Sequence, residues 1–227
     1  MRVEVTGGTG LMGKELQKIM PGIYLGHHDI EIRDEDSVKR VFAEHQPDLV
    51  VHLAADVRTD GANKQETYDT NVIGTRNVAN HCRAILYMST EYVFDGEKGN
   101  YTEEDYPNPL QFYGFTKLLG EYEAQRCQNS VILRGVFKPR PYKHPVVPTG
   151  MRTSGDYVDV MAGIIKEAVE RYSELPPILN IGTGTKLLKD LALQTRNVGD
   201  INIQELPVKI PLDTSLDLTK WNALHTH

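Results

Sequence analysis

The sequence predicts an α/β protein built on a doubly wound parallel sheet, and three observations lead to that prediction. Short apolar stretches alternate with amphipathic helical stretches along most of the chain. The apolar stretches, such as "PDLVVHLAA", are unbroken, which is typical of parallel strands covered on both faces. A glycine-rich turn, "TGGTGLMG", joins the first strand to the first helix. Strands and helices that alternate in this way form a parallel sheet with helices on both sides.

The individual elements follow from apolar runs and from helical spacing. The predicted strands are, in order, "RVEVTG", "IYLG", "PDLVVHLAA", "AILYMST", "SVILRGVF", "PPILNIGTG" and "INIQEL". The predicted helices are "LMGKELQKIM", "DEDSVKRVFAEH", "ETYDTNVIGTRNVANHC", "FYGFTKLLGEYEAQRC", "YVDVMAGIIKEAVERY" and "LLKDLALQTRN". Four apolar residues fall on one side of the first helix: Met12, Leu16, Ile19 and Met20. The second helix begins with acidic residues, which the positive end of a helix dipole stabilises.

After Phe137 the sequence becomes irregular. The stretch "KPRPYKHPVVPTGMRTSGD" holds four prolines and two glycines, so we predict a long irregular loop there. Loops of that length in compact domains are usually lids or disordered segments. The stretch "DTSLDLTKW" near the C-terminus is predicted as a tail.

Composition and charge exclude several classes of protein. The 227 residues are 40% hydrophobic and 25% charged, which is typical of a soluble globular protein. The net charge of −6 argues against a nucleic-acid or membrane partner, and no apolar run reaches membrane-spanning length. "MRVEV" enters a strand at once and leaves no room for a signal peptide, so we expect a cytoplasmic protein. Cys82 and Cys127, the only cysteines, are too isolated for a disulfide framework, and we predict no metal site.

The glycine turn predicts a dinucleotide site. Gly7 permits a sharp turn, Gly10 lets the backbone approach a pyrophosphate, and Gly13 lets the helix pack close to the strand. The amide groups at the start of the helix then face the phosphates. A glycine turn without a ligand is the alternative, and the strand–turn–helix context favours dinucleotide binding.

Tyr113 and Lys117 are candidates for acid–base chemistry. They are four residues apart in "YGFTK" and therefore share one helix face. The apolar residues of this helix form a different stripe: Phe112, Phe115, Leu119 and Tyr122. A tyrosine is a poor acid–base group at its usual pKa of about 10, and a neighbouring ammonium lowers that pKa toward neutrality. The spacing alone indicates no more than a surface pair.

Four motifs in one order resemble the extended short-chain dehydrogenase/reductase superfamily. They are T-G-x-x-G-x-x-G, "HLAA", "NVIGT", and "MST" followed some two dozen residues later by Y-x-x-x-K. The resemblance implies a Rossmann-type fold and NADPH or NADH as cofactor. It implies these cofactor contacts: Gly7, Thr9, Gly10, Leu11, Met12, Asp29, Ile30, Ala54, Ala55, Asn71, Tyr113 and Lys117. No acidic residue directly ends "IYLG", where His27 and His28 follow, so the choice between the two cofactors stays open.

Within the superfamily the chain is most similar to dTDP-4-dehydrorhamnose reductases. "STEYVFDG" resembles their S-T-D-Y-V-F-x-G loop, with Glu91 in place of the aspartate. "YTEEDYPNPLQFYGFTKLLGE" and "PLDTSLDLTKW" also resemble that family. The resemblance implies reduction of the C4 ketone of a nucleotide-linked 6-deoxyhexose. Thr90 would polarise the carbonyl, Tyr113 would donate the proton, and Lys117 would lower the tyrosine pKa and hold the nicotinamide ribose.

The substrate side of the prediction covers fewer residues. The resemblance implies substrate contacts from Ser89, Glu91, Tyr92 and Arg152. For Ser89 we favour a strand-end hydroxyl bonded to the backbone over a catalytic role. Four cations of the irregular segment either contact a nucleotide diphosphate or face solvent: Arg140, Lys143, His144 and Arg152. The chain is shorter than a usual family member. We therefore predict a dinucleotide-binding domain over residues 1–137 and a small, shortened substrate lobe over 138–227, with elements returning to the main sheet.

Three other functions were weighed against the reductase, and the resemblance implies that a second copy of the chain is a partner. Nucleotide-sugar 4,6-dehydratases carry T-D-E where this chain has Thr90, Glu91 and Tyr92, and the missing second carboxylate argues against dehydration. Nucleotide-sugar epimerases lack that acidic pair and are the second choice. The regulatory beta subunit of methionine adenosyltransferase resembles the same reductases and serves as a binding partner, which is the third. The resemblance also implies a homodimer through "ETYDTNVIGTRNVANHC" and "FYGFTKLLGEYEAQRC".

Overall fold

A six-stranded parallel sheet runs through the part of the chain that the structure describes, residues 1–59 and 62–225 of a computed structural model. The strands in chain order are β1 (Val3–Thr6), β2 (Ile23–Leu25), β3 (Leu49–His52), β4 (Ile85–Met88), β5 (Ser130–Arg134), β6 (Phe137–Lys138), β7 (Val146–Pro148), β8 (Arg152–Thr153), β9 (Asp156–Tyr157), β10 (Ile178–Asn180), β11 (Lys186–Leu187) and β12 (Gly199–Ile201). The sheet has the order β10-β5-β4-β3-β1-β2, and its neighbours pair in parallel. The predicted doubly wound α/β fold is confirmed.

Helices cover both faces of this sheet. They are α1 (Leu11–Ile19), α2 (Glu35–His45), α3 (Lys64–Tyr68), α4 (Thr75–His81), α5 (Phe112–Ala124), α6 (Val158–Glu170), α7 (Leu188–Leu193) and α8 (Thr219–Ala223). On one face α1 and α6 bury Leu16, Met161 and Ile165 against β1 and its neighbours. On the other face α2 and α4 bury Val38 and Val78. Each such side chain contributes about 1.5–3 kcal/mol when it leaves water.

The direction of the chain reverses between β1 and β3. From β1 the chain first goes outward to β2, and it then crosses to β3, β4 and β5 on the other side. Ligands of doubly wound sheets bind at the carboxyl ends of the strands beside such a switch point. Thr6, His52 and Met88, the last residues of β1, β3 and β4, therefore mark the edge where a site is expected.

Two predicted helices differ from the structure. Ile19 is 43% exposed while Met12, Leu16 and Met20 are buried. Helix α1 ends at Ile19. The backbone of Met20 is extended, and this turns the Met20 side chain, not that of Ile19, toward the core. The helix predicted from "ETYDTNVIGTRNVANHC" is divided into α3, a π-helical segment over Asp69–Gly74, and α4.

Two predictions in the last third of the chain were wrong in detail. The segment predicted as an irregular loop contains two short strands, β7, which pairs with β12, and β8, which pairs with β11. The paired strands β6 and β9 overlap its two ends. The strand predicted from "INIQEL" is found earlier, over Gly199–Ile201, and Ile203–Glu205 forms a 3₁₀ turn. Asn202 causes the change, because its side-chain oxygen accepts a hydrogen bond from the Gln204 amide at 3.0 Å and caps that turn.

The segment after β5 packs around a small core of its own, and the division at residue 137 stays a prediction. Tyr142, Val147, Met151, Tyr157 and Leu188 are buried together there. Among residues 1–59 and 62–225, no helix combines the length and the hydropathy needed to cross a lipid bilayer.

Candidate active site

The glycine turn after β1 forms a cradle that larger residues could not form. Gly7 has a φ of +72°, and a Cβ added there would lie 2.7 Å from the amide nitrogen of Ala54. A Cβ on Gly13 would lie 2.5 Å from the Gly7 carbonyl oxygen, so α1 packs directly on the turn. Gly10 is the N-cap of α1, and no side chain caps this helix start. The uncapped amides and the close backbone approach fit a dinucleotide pyrophosphate.

Two adjacent cavities open at this edge of the sheet. The smaller, of about 170 Å³, is lined by Gly7, Thr9, Gly10, Leu25, Gly26, His27, Ile30, Ile32, Leu53, Ala54, Ala55 and Thr70. The larger, of about 710 Å³, is lined by Gly7, Gly10, Leu11, Met12, Gly13, Leu53, Ala55, Val57, Arg58, Thr59, Met88, Ser89, Thr90, Tyr92, Gln111, Tyr113, Lys117, Gly135, Val136, Phe137, Lys138, Lys143, His144 and Ile210. They share Gly7, Gly10, Leu53 and Ala55. The glycine turn thus lies at the junction of one extended cleft.

Ten of the predicted cofactor contacts line this cleft, and two do not. Asp29 lies outside the lining, and its carboxylate accepts a hydrogen bond from the Gly26 amide at 2.8 Å. Asn71 is buried behind the cleft, where its side-chain amide donates to the Asp56 carbonyl at 2.9 Å and to Thr116 Oγ1 at 3.0 Å. Its side-chain oxygen accepts from the Asp56 amide at 2.8 Å. Asn71 therefore holds the backbone between Ala55 and Val57, two residues of the larger cavity's wall.

Thr90 and Tyr113 meet in the larger cavity. Thr90 caps a 3₁₀ turn over Glu91–Val93, where its hydroxyl oxygen accepts from the Tyr92 amide at 3.2 Å. Tyr113 lies in the first turn of α5, and its side chain lines the larger cavity together with Thr90. Burial raises the pKa of Tyr113 to about 12, although the Thr90 hydroxyl acts in the opposite direction. Tyr113 is therefore protonated at neutral pH.

Lys117 is buried one turn after Tyr113. Its Nζ lies 4.1 Å from the centroid of the Tyr87 ring, and only 2% of the residue is exposed. Burial lowers the pKa of Lys117 to about 7, and the charge of Glu121 acts against that shift. We expected Lys117 to lower the pKa of Tyr113, and the geometry does not support this. The Lys117 ammonium is directed onto the Tyr87 ring, and burial is the largest influence on the pKa of Tyr113.

A buried ion pair behind Lys117 was missed by the sequence reasoning. Glu121 accepts hydrogen bonds from Arg134 Nε at 3.0 Å and Nη2 at 2.7 Å, and from the Ser89 hydroxyl at 2.5 Å. Ser89 also lines the larger cavity. The available signal was spacing, since Tyr113, Lys117 and Glu121 follow one another at four-residue intervals and so share one face of α5.

The predicted substrate contacts divide into two groups. Ser89 and Tyr92 line the larger cavity. Glu91 is fully buried outside the lining, and its carboxylate accepts from Thr153 Oγ1 at 3.0 Å. Burial raises the pKa of Glu91 to about 7, with the charge of Lys138 acting in the opposite direction. Arg152 also lies outside the lining, with its guanidinium 4.0 Å from the Asp213 carboxylate.

Only some of the cations of the irregular segment line the larger cavity. Lys143 and His144 line the larger cavity, whereas Arg140 pairs with Asp159 at 2.9 Å and stacks over the Tyr157 ring. Lys138, which the sequence reasoning did not select, joins Lys143 and His144 in the wall. One end of the larger cavity is therefore basic.

Gln111 is a further residue that the sequence reasoning missed. Its side-chain amide donates to the Lys209 carbonyl at 2.8 Å, which leaves Oε1 buried without a hydrogen-bond partner among the described residues. Gln111 is 7% exposed and lines the larger cavity. A buried unpaired acceptor is costly, so this oxygen is suited to accept a hydrogen bond from a ligand.

Comparison with known sequences identifies the family of this chain. The family described as RmlD substrate binding domain matches residues 1–139. The methionine adenosyltransferase 2 subunit beta of Danio rerio is 35% identical over 150 residues, covering 59% of this chain and 46% of that protein. The dTDP-4-dehydrorhamnose reductase of Streptomyces griseus is 36% identical over 129 residues, covering 52% of this chain and 42% of that protein. The matched stretch thus spans less than half the length of these relatives.

Comparison with solved structures agrees on the fold. The dTDP-4-dehydrorhamnose reductase of Bacillus anthracis, solved in complex with NADP, superimposes with a TM-score of 0.87 at 23% identity, covering 98% of this chain and 92% of that one. The UDP-glucose 4-epimerase of Thermus thermophilus, solved with NAD, gives a TM-score of 0.75 at 19% identity, covering 99% and 92%. The resemblance predicted from the four motifs is confirmed.

Proposed function

The chain belongs to the RmlD substrate binding domain family, and on that premise we propose that it is an NAD(P)H-dependent oxidoreductase of the extended short-chain type. Its proposed reaction is reduction of the C4 ketone of a nucleotide-linked 6-deoxyhexose. The observation that carries the proposal is that Thr90, Tyr113 and Lys117 line one cavity that adjoins the glycine turn, with Lys117 one helical turn after Tyr113. A binding module has no need of this combination.

The cofactor proposal rests on the glycine turn and the smaller cavity. Gly7, Gly10 and the start of α1 would hold the pyrophosphate, and the apolar side chains of Leu25, Ile30 and Ile32 would flank an adenine ring. A bound nicotinamide would supply the hydride. The residues of this chain supply orientation, charge and a proton.

We propose that NADPH is accepted at least as well as NADH. A carboxylate at the end of the second strand is the group that binds the 2′-hydroxyl of NADH and repels a 2′-phosphate. Among the described residues that line the smaller cavity there is no carboxylate, because Asp29 lies outside it and is bonded to the Gly26 amide. His27, which lines that cavity, is a group that tolerates a phosphate.

The proton step follows from the state of Tyr113. With a pKa near 12 the phenol holds its proton at neutral pH, so it can donate that proton to the oxygen of the reduced carbonyl. The Thr90 hydroxyl would donate a hydrogen bond to the same oxygen, and this contact strengthens as negative charge develops there. In its charged form Lys117 would hold the nicotinamide ribose, the other role that the resemblance implies for it.

The substrate proposal uses the basic end of the larger cavity. Lys138, Lys143 and His144 would contact the diphosphate, and the free Oε1 of Gln111 would accept a hydrogen bond from a sugar hydroxyl. Residues 138–227 would then act as a shortened substrate lobe. Glu91, which lies outside the lining and interacts with the charge of Lys138, would act on the substrate only through that lysine.

One assay tests the function directly. Purified protein is supplied with dTDP-4-dehydro-6-deoxy-L-mannose and NADPH or NADH, and the loss of reduced nicotinamide is followed. Stoichiometric oxidation of the cofactor with reduced sugar as product supports the proposal. Isomerised sugar without net consumption of nicotinamide would identify an epimerase instead.

A non-catalytic subunit is the second candidate, and the sequence comparison favours it specifically. Several of the most similar curated relatives are methionine adenosyltransferase 2 beta subunits, among them those of Danio rerio and Rattus norvegicus at 35% and 36% identity. Titration of this chain with a methionine adenosyltransferase catalytic subunit, read by sedimentation, tests the candidate. A stable complex together with no turnover of a 4-keto sugar nucleotide would establish it.

We also propose a homodimer, with α5 and the segment from α3 to α4 at the interface. Phe115 and Tyr122 on α5 are 45% and 63% exposed, which is more apolar surface than one core requires. A light-scattering mass near 25.6 kDa at micromolar concentration would exclude the dimer. Cytoplasmic localisation stays a prediction.

A further inference from the structure

Cys82 and Cys127 lie side by side, although 45 positions separate them in the sequence. Cys82 directly follows α4, and Cys127 lies just beyond the end of α5. The Cys127 thiol donates to the Cys82 carbonyl oxygen at 3.7 Å, and each thiol shifts the pKa of the other. Both cysteines are free. The sequence reasoning treated them as isolated, and the fold brings them together.

Hydrogen bonds hold the two cysteine-bearing segments in register. The side-chain amide of Asn129 donates to the Arg83 carbonyl at 3.1 Å, and the Ile85 amide donates to the Asn129 carbonyl at 2.9 Å. Arg126 Nε donates to Asn80 Oδ1 at 3.1 Å on the other side of the pair. The sulfur atoms are therefore held close by contacts that do not depend on them. Such preorganisation favours an intramolecular reaction over an intermolecular one.

We propose that Cys82 and Cys127 form a reversible intramolecular disulfide when the protein meets a hydroperoxide. The Cys127 thiolate attacks one peroxide oxygen, the O–O bond breaks, and hydroxide leaves, so that Cys127 becomes a sulfenic acid. The Cys82 thiol then attacks this sulfur, the S–O bond breaks and water leaves. The two thiols lose two electrons in total, and the peroxide is reduced to water.

Charge and exposure at the pair suit this chemistry. The neighbouring Cys82 thiol lowers the pKa of Cys127, and the same contact raises the pKa of Cys82. A thiolate is the reactive form, so the direction of these shifts assigns the attack on the peroxide to Cys127. Cys82 is half-buried and gives a small oxidant access, whereas Cys127 is 4% exposed. Larger thiol reagents are kept from Cys127.

The proposed disulfide is independent of the proposed function. Cys82 precedes the start of β4 and Cys127 precedes the start of β5, so the pair lies at the amino-terminal edge of the sheet. The cleft lies at the opposite edge, where β4 ends and Ser89 and Thr90 follow. Failure of the disulfide would leave the cleft chemistry untouched, and the reverse also holds.

The test uses the full chain, hydrogen peroxide and mass spectrometry. Protein is treated with peroxide, denatured, alkylated with N-ethylmaleimide and weighed intact, and peptide mapping locates any cross-link. We expect the loss of two hydrogens, no uptake of maleimide, a cross-linked peptide that joins Cys82 to Cys127, and recovery of both thiols with dithiothreitol. The rate should not depend on protein concentration.

Two single substitutions serve as matched controls. Cys82→Ser and Cys127→Ser each keep one thiol, and neither should give the intramolecular product. Treated parent protein that still takes up two maleimides, that forms only disulfides between chains, or that accumulates sulfinic acid on Cys127 would overturn the proposal.

Discussion

The Ser89 hydroxyl donates a 2.5 Å hydrogen bond to the Glu121 carboxylate, which joins the end of strand β4 to helix α5. Arg134 on β5 binds the same carboxylate through two nitrogens. Lys117 lies one turn before Glu121, and the carboxylate opposes the loss of its charge. Glu121 thus connects the loop that carries Thr90 with the helix that carries Tyr113 and Lys117.

Glu121→Gln is the substitution that tests this connection. The amide keeps the size of the side chain and removes its charge, which leaves Arg134 as a buried, unpaired cation. Glu121 and Arg134 have side chains only 4% and 3% exposed, so we expect a loss of about 3–5 kcal/mol in the free energy of unfolding, measured by urea denaturation.

The same variant should change the pH dependence of turnover. Lys117 loses its charge as the pH rises through about 7, and without Glu121 its pKa falls further. If charged Lys117 is needed, the alkaline loss of activity should begin at lower pH in Glu121→Gln than in the parent. Glu123→Gln is the control, because Glu123 lies on the same helix as Glu121 and forms its ion pair, with Arg76, near the protein surface. An unchanged pH profile in Glu121→Gln would contradict the role of Glu121.

Glu91 should make the protein less stable as the pH rises from about 4.5 to about 7. Its pKa in the folded state is about 7, above its ordinary value of 4.5, so the folded state binds the extra proton in this window. Stability is then fully present below pH 4.5 and is lost as Glu91 ionises, by up to about 3 kcal/mol. Glu91→Gln should remove this slope. Thermal unfolding between pH 4.5 and 8 measures it.

The exposed Glu97 provides the comparison for this series. Glu97→Gln should follow the parent curve, because the Glu97 side chain is in contact with water in both the folded and the unfolded state. If Glu91→Gln keeps the full slope, then other groups cause it and the burial of Glu91 is not responsible.

The strands of the main sheet were predictable because their signal is local. Unbroken apolar runs such as those of β3 and β4 have no other stable place than between two helical layers. The strands β6, β8, β9 and β11 have two residues each, which is too short for any periodicity to register. Their pairing comes from the tertiary fold, so a run with four prolines was predicted as a loop.

The candidate site was predictable in its backbone and less so in its side chains. The glycine turn and the Tyr113–Lys117 spacing are short-range patterns that the chain shows directly. Arg134 meets Glu121 across 13 positions, and Cys127 meets Cys82 across 45. Contacts of that range leave no periodic trace in a single sequence. For Glu91 the motif itself was misleading. Its place beside Thr90 predicted a side chain in the cleft, and the side chain is buried outside the cleft lining.

Gly10→Val should abolish binding of the nicotinamide dinucleotide. Gly10 lines both cavities, and a branched side chain there would occupy the space through which a pyrophosphate reaches the amides of α1. Calorimetric titration with NADPH and with NADH measures the loss, and the parent titration gives the cofactor preference. Gly163→Ala is the control, since a Cβ at Gly163 meets no atom within 4 Å. Equal affinities of Gly10→Val and the parent would exclude this turn as the cofactor site.

Tyr113→Phe should reduce turnover of the 4-keto sugar nucleotide about 10²–10⁴-fold, the usual contribution of a general acid. The substitution removes only the hydroxyl and keeps the buried ring, so the fold and the cofactor affinity should survive. Tyr122→Phe is a matched control, because Tyr122 lies on the same helix and is 63% exposed. Full activity in Tyr113→Phe would show that another group donates the proton. Equal losses in both variants would indicate damage to α5 as a whole, and Tyr113 would then have no role in the chemistry.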